Sequence, residues 1–157
     1  MFKTSYVTNL DETRASDDEG VGSLREWNGN LYMWVLLSIG DDTPAKGDAL
    51  GFVSSSFTGY TVSTDVSACI ADWLAGAIQN ETNTDVPADA EYFWMQIGGQ
   101  ITLSTTVEDS AAAGAGLGLG AGDGACGKAT TLQGSYGKLI DATSLLAVLD
   151  CMPYTCT

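Results

Sequence analysis

Residues 31–39 read LYMWVLLSI, a run of aromatic and branched side chains set between Asn28-Gly29-Asn30 and Gly40-Asp41-Asp42. Such a run between turn formers predicts a buried strand. The neighbouring segments repeat the plan. Residues 50–57, within ALGFVSSSF, and residues 60–64, YTVST, are short β-like runs separated by Thr58-Gly59. Residues 91–106, EYFWMQIGGQITLSTT, predict two strands broken or bulged at Gly98-Gly99, and residues 144–150 a closing strand. Only Ser67–Leu74 looks helical, with Ile70 and Leu74 four apart and Asp65 and Ser67 available as caps. Many short strands with frequent Gly turns and little 3.6-residue periodicity predict an all-β fold. The expected form is a single compact β-barrel or β-sandwich with at most one short helix.

The chain has 157 residues, 45% of them hydrophobic, which is enough for one domain with a real core. Residues 1–26 carry Asp11, Glu12, Asp17, Asp18, Glu19 and Glu26 with few large apolar groups, and are read as an acidic extended N-terminal arm that lies on a neighbouring subunit. Residues 27–157 are the β-rich domain. Within it, residues 111–127, AAAGAGLGLGAGDGACG, are expected to be a loop, because ordering so many glycines costs the most backbone entropy.

Six Lys plus Arg against 20 Asp plus Glu give a net charge of −14, which repels nucleic acid and anionic lipid. Neither is an expected partner. The longest apolar stretch, Leu31–Leu37, is far short of the roughly 20 residues that span a bilayer. Met1–Glu19 has no signal-peptide core, so synthesis in the cytoplasm is expected. With no histidine, His-dependent triads, metal sites and pH switches are absent. The cysteines, Cys69, Cys126, Cys151 and Cys156, are expected to be reduced and mostly buried. Cys151 and Cys156 remain a disulfide candidate if the chain ends up outside the cell.

Several motifs resemble chemistry and fail on context. Gly122–Lys128 fits the first seven positions of a phosphate-binding loop, yet Ala129 stands where a magnesium-binding hydroxyl is needed. Asp17-Asp18-Glu19 and Asp41-Asp42 lack the ligand spacing of a calcium loop. Asn80-Glu81-Thr82 is a formal glycosylation sequon. No carboxylate pair is placed by a glycosidase motif; that activity requires two carboxylates about 5–10 Å apart across a cleft. No catalytic residue, cofactor or metal ligand is therefore assigned. The apolar residues of the arm, Phe2, Tyr6, Val7 and Leu10, together with Trp27 and the strand rings Tyr32, Trp34, Tyr92 and Trp94, form the candidate interface.

The order Gly22-Ser23-Leu24-Arg25-Glu26-Trp27-Asn28-Gly29, Tyr32-Met33-Trp34-Val35, Val62-Ser63-Thr64-Asp65-Val66-Ser67, Leu74-Ala75-Gly76-Ala77-Ile78 and Tyr92-Phe93-Trp94-Met95-Gln96-Ile97-Gly98-Gly99 resembles small virion proteins of tailed phages. These include head decoration, or cement, proteins. The resemblance covers most of residues 20–150. It implies a non-enzymatic, β-rich subunit, a homotrimer or other symmetric oligomer, that binds the major capsid protein and stabilises the head of a virion assembled in the host cytoplasm. The residues leave two further readings open: a neck or tail component, and a carbohydrate- or host-surface-binding module, which exposed Trp94 or Tyr92 would favour.

Overall fold

The apolar run becomes strand β2 (Asn30–Leu37), and both of its faces are buried, which is why it reads as a continuous rather than an alternating pattern. Met33, Val35 and Leu37 enter the main core, whereas Tyr32 and Trp34 belong to a separate aromatic cluster on the opposite face, as the two-residue period of a strand requires. The computed structural model describes residues 5–40, 42–53, 60–79, 85–104, 107–108, 111–129 and 136–151.

Nine further strands accompany β2: β1 (Leu24–Trp27), β3 (Ala49–Val53), β4 (Thr61–Ser63), β5 (Cys69–Ile78), β6 (Tyr92–Thr102), β7 (Leu117–Leu119), β8 (Cys126–Lys128), β9 (Gly137–Asp141) and β10 (Leu146–Asp150). Pairing runs β2–β4–β3–β5–β6 and returns from β6 to β2, so five strands close into a barrel. All its contacts are antiparallel except the short parallel pair β2–β4. Closure leaves the ring without an unpaired edge. β1 pairs with the first half of β2, and β10 followed by β9 extends from the far half of β6. The all-β expectation holds, in its barrel form.

Gly98-Gly99 does not divide residues 91–106 into two strands. It bends one. Tyr32 pairs with Gln96 and Leu31 with Gly98, so Ile97 is left without an opposite residue, which is a β-bulge. Gly99 has φ +90°, and a Cβ there would stand 2.1 Å from Asn30 Oδ1, the atom that accepts the Gln100 N–H. Before the bend β6 pairs with β2 and β5; beyond Gly98 it pairs with β10.

Two other expectations are corrected. Ser67–Leu74 is not a helix: Asp65 accepts the Ser67 N–H and caps a single 3₁₀ turn, Val66–Ala68, after which β5 begins at Cys69. Ile70 and Leu74 therefore lie in a barrel strand, whose pairing outweighs a weak helical spacing. Residues 111–127 are not simply a loop either, because β7 and β8 form a hairpin. Leu117 and Leu119 are the reason. Both are buried in the main core, and Leu119 sits so close over Gly51 of β3 that a Cβ at Gly51 would meet it at 2.7 Å. The chain before β7 then pairs with the outer edge of β9: Leu139 N–H donates to Ala115 O at 3.0 Å and Gly114 N–H to Leu139 O at 2.7 Å.

Residues 5–23, read from sequence as an arm reaching to a neighbour, lie here against the chain's own barrel. Arg14 and Tyr92 exchange backbone hydrogen bonds of 2.9 and 2.7 Å. The boundary drawn at residue 26 also falls inside β1, which pairs with β2 from Leu24 onward. Tyr32, Trp34 and Trp94 supply the cause: three large rings on the outside of a barrel need a cover, and the nearest chain provides it.

Candidate functional site

Within this cover the rings fix one another. Trp34 and Trp94 lie 5.2 Å apart at 60°, Tyr92 stacks on Trp34 at 6.3 Å, and Tyr6 meets Trp94 edge-on at 5.5 Å. Their polar atoms are satisfied by the N-terminal segment. Trp34 Nε1–H donates to Asp17 at 2.9 Å, Trp94 Nε1–H to Thr8 Oγ1 at 3.0 Å, and Tyr6 O–H to the Leu24 carbonyl at 2.9 Å. The Gln79 amide donates to Leu10 O.

Glu19 is the least expected member of this group, an acidic side chain only 2% exposed. Its Oε1 accepts from Val7 N–H, Thr8 N–H and the Thr8 hydroxyl at 2.7, 2.7 and 2.8 Å. A carboxylate so supplied with donors replaces much of the hydration it gives up. Asp17 caps the following turn by accepting from Gly20 and Val21, and Asp18 accepts from Ser16. The acidic triplet is therefore a folding element of the cover.

What the cover leaves in solvent is the candidate surface. Asn28 and Gly29 have φ of 50° and 79°, the two left-handed residues of a tight β1–β2 hairpin, and they hold Trp27 out at 51% exposure. Val7, at 77%, is exposed on the N-terminal segment, between Tyr6 and Thr8. Arg25 ties the two together. Its guanidinium lies 4.8 Å from the Tyr6 ring, 5.7 Å from Trp94 and 5.9 Å from Trp27, and donates to Thr8 O at 3.0 Å. Trp27 and Val7 are thus exposed on two segments that the Arg25 guanidinium joins through Tyr6 and Thr8.

The nine interface candidates thus divide. Val7 and Trp27 are exposed; Tyr6, Leu10 and Tyr92 are half-buried in the aromatic cluster; Tyr32, Trp34 and Trp94 are fully buried. The last three are core to this chain and do not face a partner. Phe2 lies outside the described residues. Sequence reasoning missed Thr8, Glu19 and Arg25, whose roles depend on a contact between segments distant in sequence. It also missed β9, whose alternation in Gly137–Asp141 was the available signal.

The chemistry-like motifs resolve into structure. The N–H groups of Gly122, which opens the phosphate-loop lookalike, and of Ala121 just before it donate to the Glu108 carboxylate. Burial raises the Cys69 and Cys126 thiols to about 11 and about 12, and pushes Cys151 upward as well, so all three are thiols at neutral pH and poor nucleophiles. Cys151 is free, its Sγ–H donating to Tyr136 O at 3.2 Å; its candidate partner Cys156, and the sequon at Asn80, lie outside the described residues. Among the described residues no three His, Cys, Asp or Glu side chains gather to hold a metal.

Asp48 is a buried carboxyl whose titration the fold shifts. It accepts from Ala45 N–H at 2.6 Å and from the Ser104 hydroxyl, and desolvation raises its pKa above the ordinary aspartate value. The folded chain therefore holds this proton more tightly than the unfolded one. Its contribution to stability is full below the unfolded aspartate pKa and is lost as pH rises through the raised folded value. Asp48→Asn should gain stability relative to the parent between pH 4 and pH 7. Urea unfolding at both values measures it, and a constant difference would contradict the assignment.

No protein family, no curated protein and no solved structure matches this chain.

Proposed function

We propose that this chain is a non-catalytic structural subunit of a tailed-phage particle that binds the head surface through the Val7–Trp27 patch and stabilises the shell. The observation that carries the reading is Trp27, half exposed on a two-residue hairpin and braced by Arg25. Tryptophan and arginine presented together on a rigid base are what interface hot spots are made of. The resemblance of residues 20–150 to phage virion proteins supplies the partner, the major capsid protein, and a net charge of −14 keeps a high-copy subunit soluble before it docks. A glycan-binding platform on the strand aromatics is less favoured, since Trp94 is buried and Tyr92 is stacked on Trp34.

The test uses phage heads assembled without the chain. Trp27→Ala and Val7→Asp each change an exposed side chain, so folding should be nearly unaffected, while affinity for heads should fall by about tenfold or more, as for a hot-spot loss above 1.4 kcal/mol. Occupancy equal to the parent in both variants would remove the patch from the proposal.

A further inference from the structure

The closed ring has no edge, and residues 114–117 pair with the outer side of β9, but the outer edge of β1 is open. Asn28-Gly29 is a two-residue turn, so Trp27–Asn30 is its closing hydrogen-bonded pair and Arg25–Tyr32 the next. The bond from Trp34 N–H to Ser23 O, 2.9 Å, continues that alternation. The N–H and C=O groups of Leu24 and Glu26 therefore point away from β2. The Tyr6 hydroxyl takes the Leu24 carbonyl at 2.9 Å. Among the described residues, Leu24 N–H, Glu26 N–H and Glu26 C=O have no hydrogen-bond partner, and the Glu26 and Trp27 side chains are exposed.

Such a row of unpaired backbone groups is a template for one more strand. The side chains beside it define the occupant. A residue set opposite Glu26 shares its face, and there the exposed carboxylate calls for a cation. The adjoining residue, on the other face, lies beside the half-exposed Trp27 ring and calls for an apolar side chain. A net charge of −14 draws a cationic segment in from a distance. A second copy of this chain does not fit. An antiparallel two-fold contact centred on Arg25 or on Glu26 sets that residue against its own copy, like charges directly opposite. Centring it on Leu24 or Trp27 opposes Glu26 to Gly22 or Asn28, whose φ of 81° and 50° are not those of a strand.

We propose that the outer edge of β1 binds an extended, cationic segment of another protein as an added antiparallel strand, with a Lys or Arg side chain opposite Glu26 and an apolar one beside Trp27. A few backbone bonds and one surface charge pair make a weak contact on their own. It gains strength when the segment is tethered to a surface that the chain also touches elsewhere. The contact does not depend on head binding, which uses the Trp27 ring rather than the backbone beside it.

The probe is an acetylated and amidated peptide of alternating valine and lysine, titrated up to millimolar concentration onto the isotope-labelled full chain and followed by amide NMR. Saturable shifts should centre on the Leu24 and Glu26 amides, and hydrogen exchange at both should slow. The same peptide N-methylated at its lysines keeps its charge, loses its donors to the edge, and should bind about tenfold more weakly. Glu26→Pro removes a donor on the side away from β2, where proline is tolerated, and should weaken binding by a similar factor. Glu26→Gln keeps the donor and should fall between parent and proline variant. Unchanged thermal melting shows that the variants fold, and the N-methylated peptide gives its answer without altering the chain. No saturable shift at Leu24 and Glu26, equal binding of the N-methylated peptide, or a folded Glu26→Pro variant that binds like the parent would each overturn the proposal. Self-association of the parent chain that protects the same two amides would give the edge to a second copy and overturn it as well.

Discussion

Trp94→Ala should lower the free energy of unfolding by about 3–5 kcal/mol, the range for deleting a large buried aromatic. Trp94 is fully buried between Trp34 and Tyr6, and its Nε1–H is the donor to Thr8 Oγ1. Truncation therefore opens a void on the barrel wall and detaches the N-terminal cover at once. Trp94→Phe separates the two effects. It keeps most of the ring and loses the donor, so its cost should be about 1–2 kcal/mol, the scale of one buried hydrogen bond. Urea unfolding followed by circular dichroism gives both values. A loss below about 1 kcal/mol for the alanine variant would mean that the Trp94 ring does not hold the cover on the barrel.

Glu19→Ala should cost about 3 kcal/mol, because it removes the acceptor of three donors in a closed site and leaves the Thr8 and Val7 groups unsatisfied. The damage should be local in origin. Segments with few buried apolar contacts open before the rest of a domain, so limited proteolysis should cut residues 5–23 faster in this variant while the barrel strands stay protected. Glu19→Gln keeps one oxygen and nearly the same volume, and should fall between parent and alanine. An alanine variant with parental stability and an uncut N-terminal segment would show that the buried carboxylate does not hold the cover.

Strand content was legible because β2, β6 and β10 are strongly apolar and bounded by turn residues, and such segments show their state locally. Barrel closure was not, because the β6–β2 pairing that completes the ring joins residues about 60 positions apart. The Ala/Gly run misled for a related reason. Glycine there reads as loop composition, yet Leu117 and Leu119 are enough to seat a hairpin where Gly51 leaves room for a neighbour.

The acidic N-terminal segment shows the same limit at the candidate site. Its charge pattern suggests an exposed arm, and nothing in the local sequence says that Glu19 turns inward while Val7 turns out. That choice is made by Trp34 and Trp94, which need acceptors that only residues 5–23 bring within reach. Aromatic residues singled out together therefore separate in the fold, three to the core and Trp27 to the surface. Burial of the strand rings leaves Trp27 and Val7 as the exposed members of the candidate interface.

The most direct measurement titrates the purified chain onto phage heads assembled without it, counting bound copies by native mass while following the temperature at which the shells rupture. Saturation at a fixed ratio to capsid subunits, together with a higher rupture temperature, is the predicted result. A chain that stays in solution at every concentration, with rupture unchanged, would contradict the proposed role on the head.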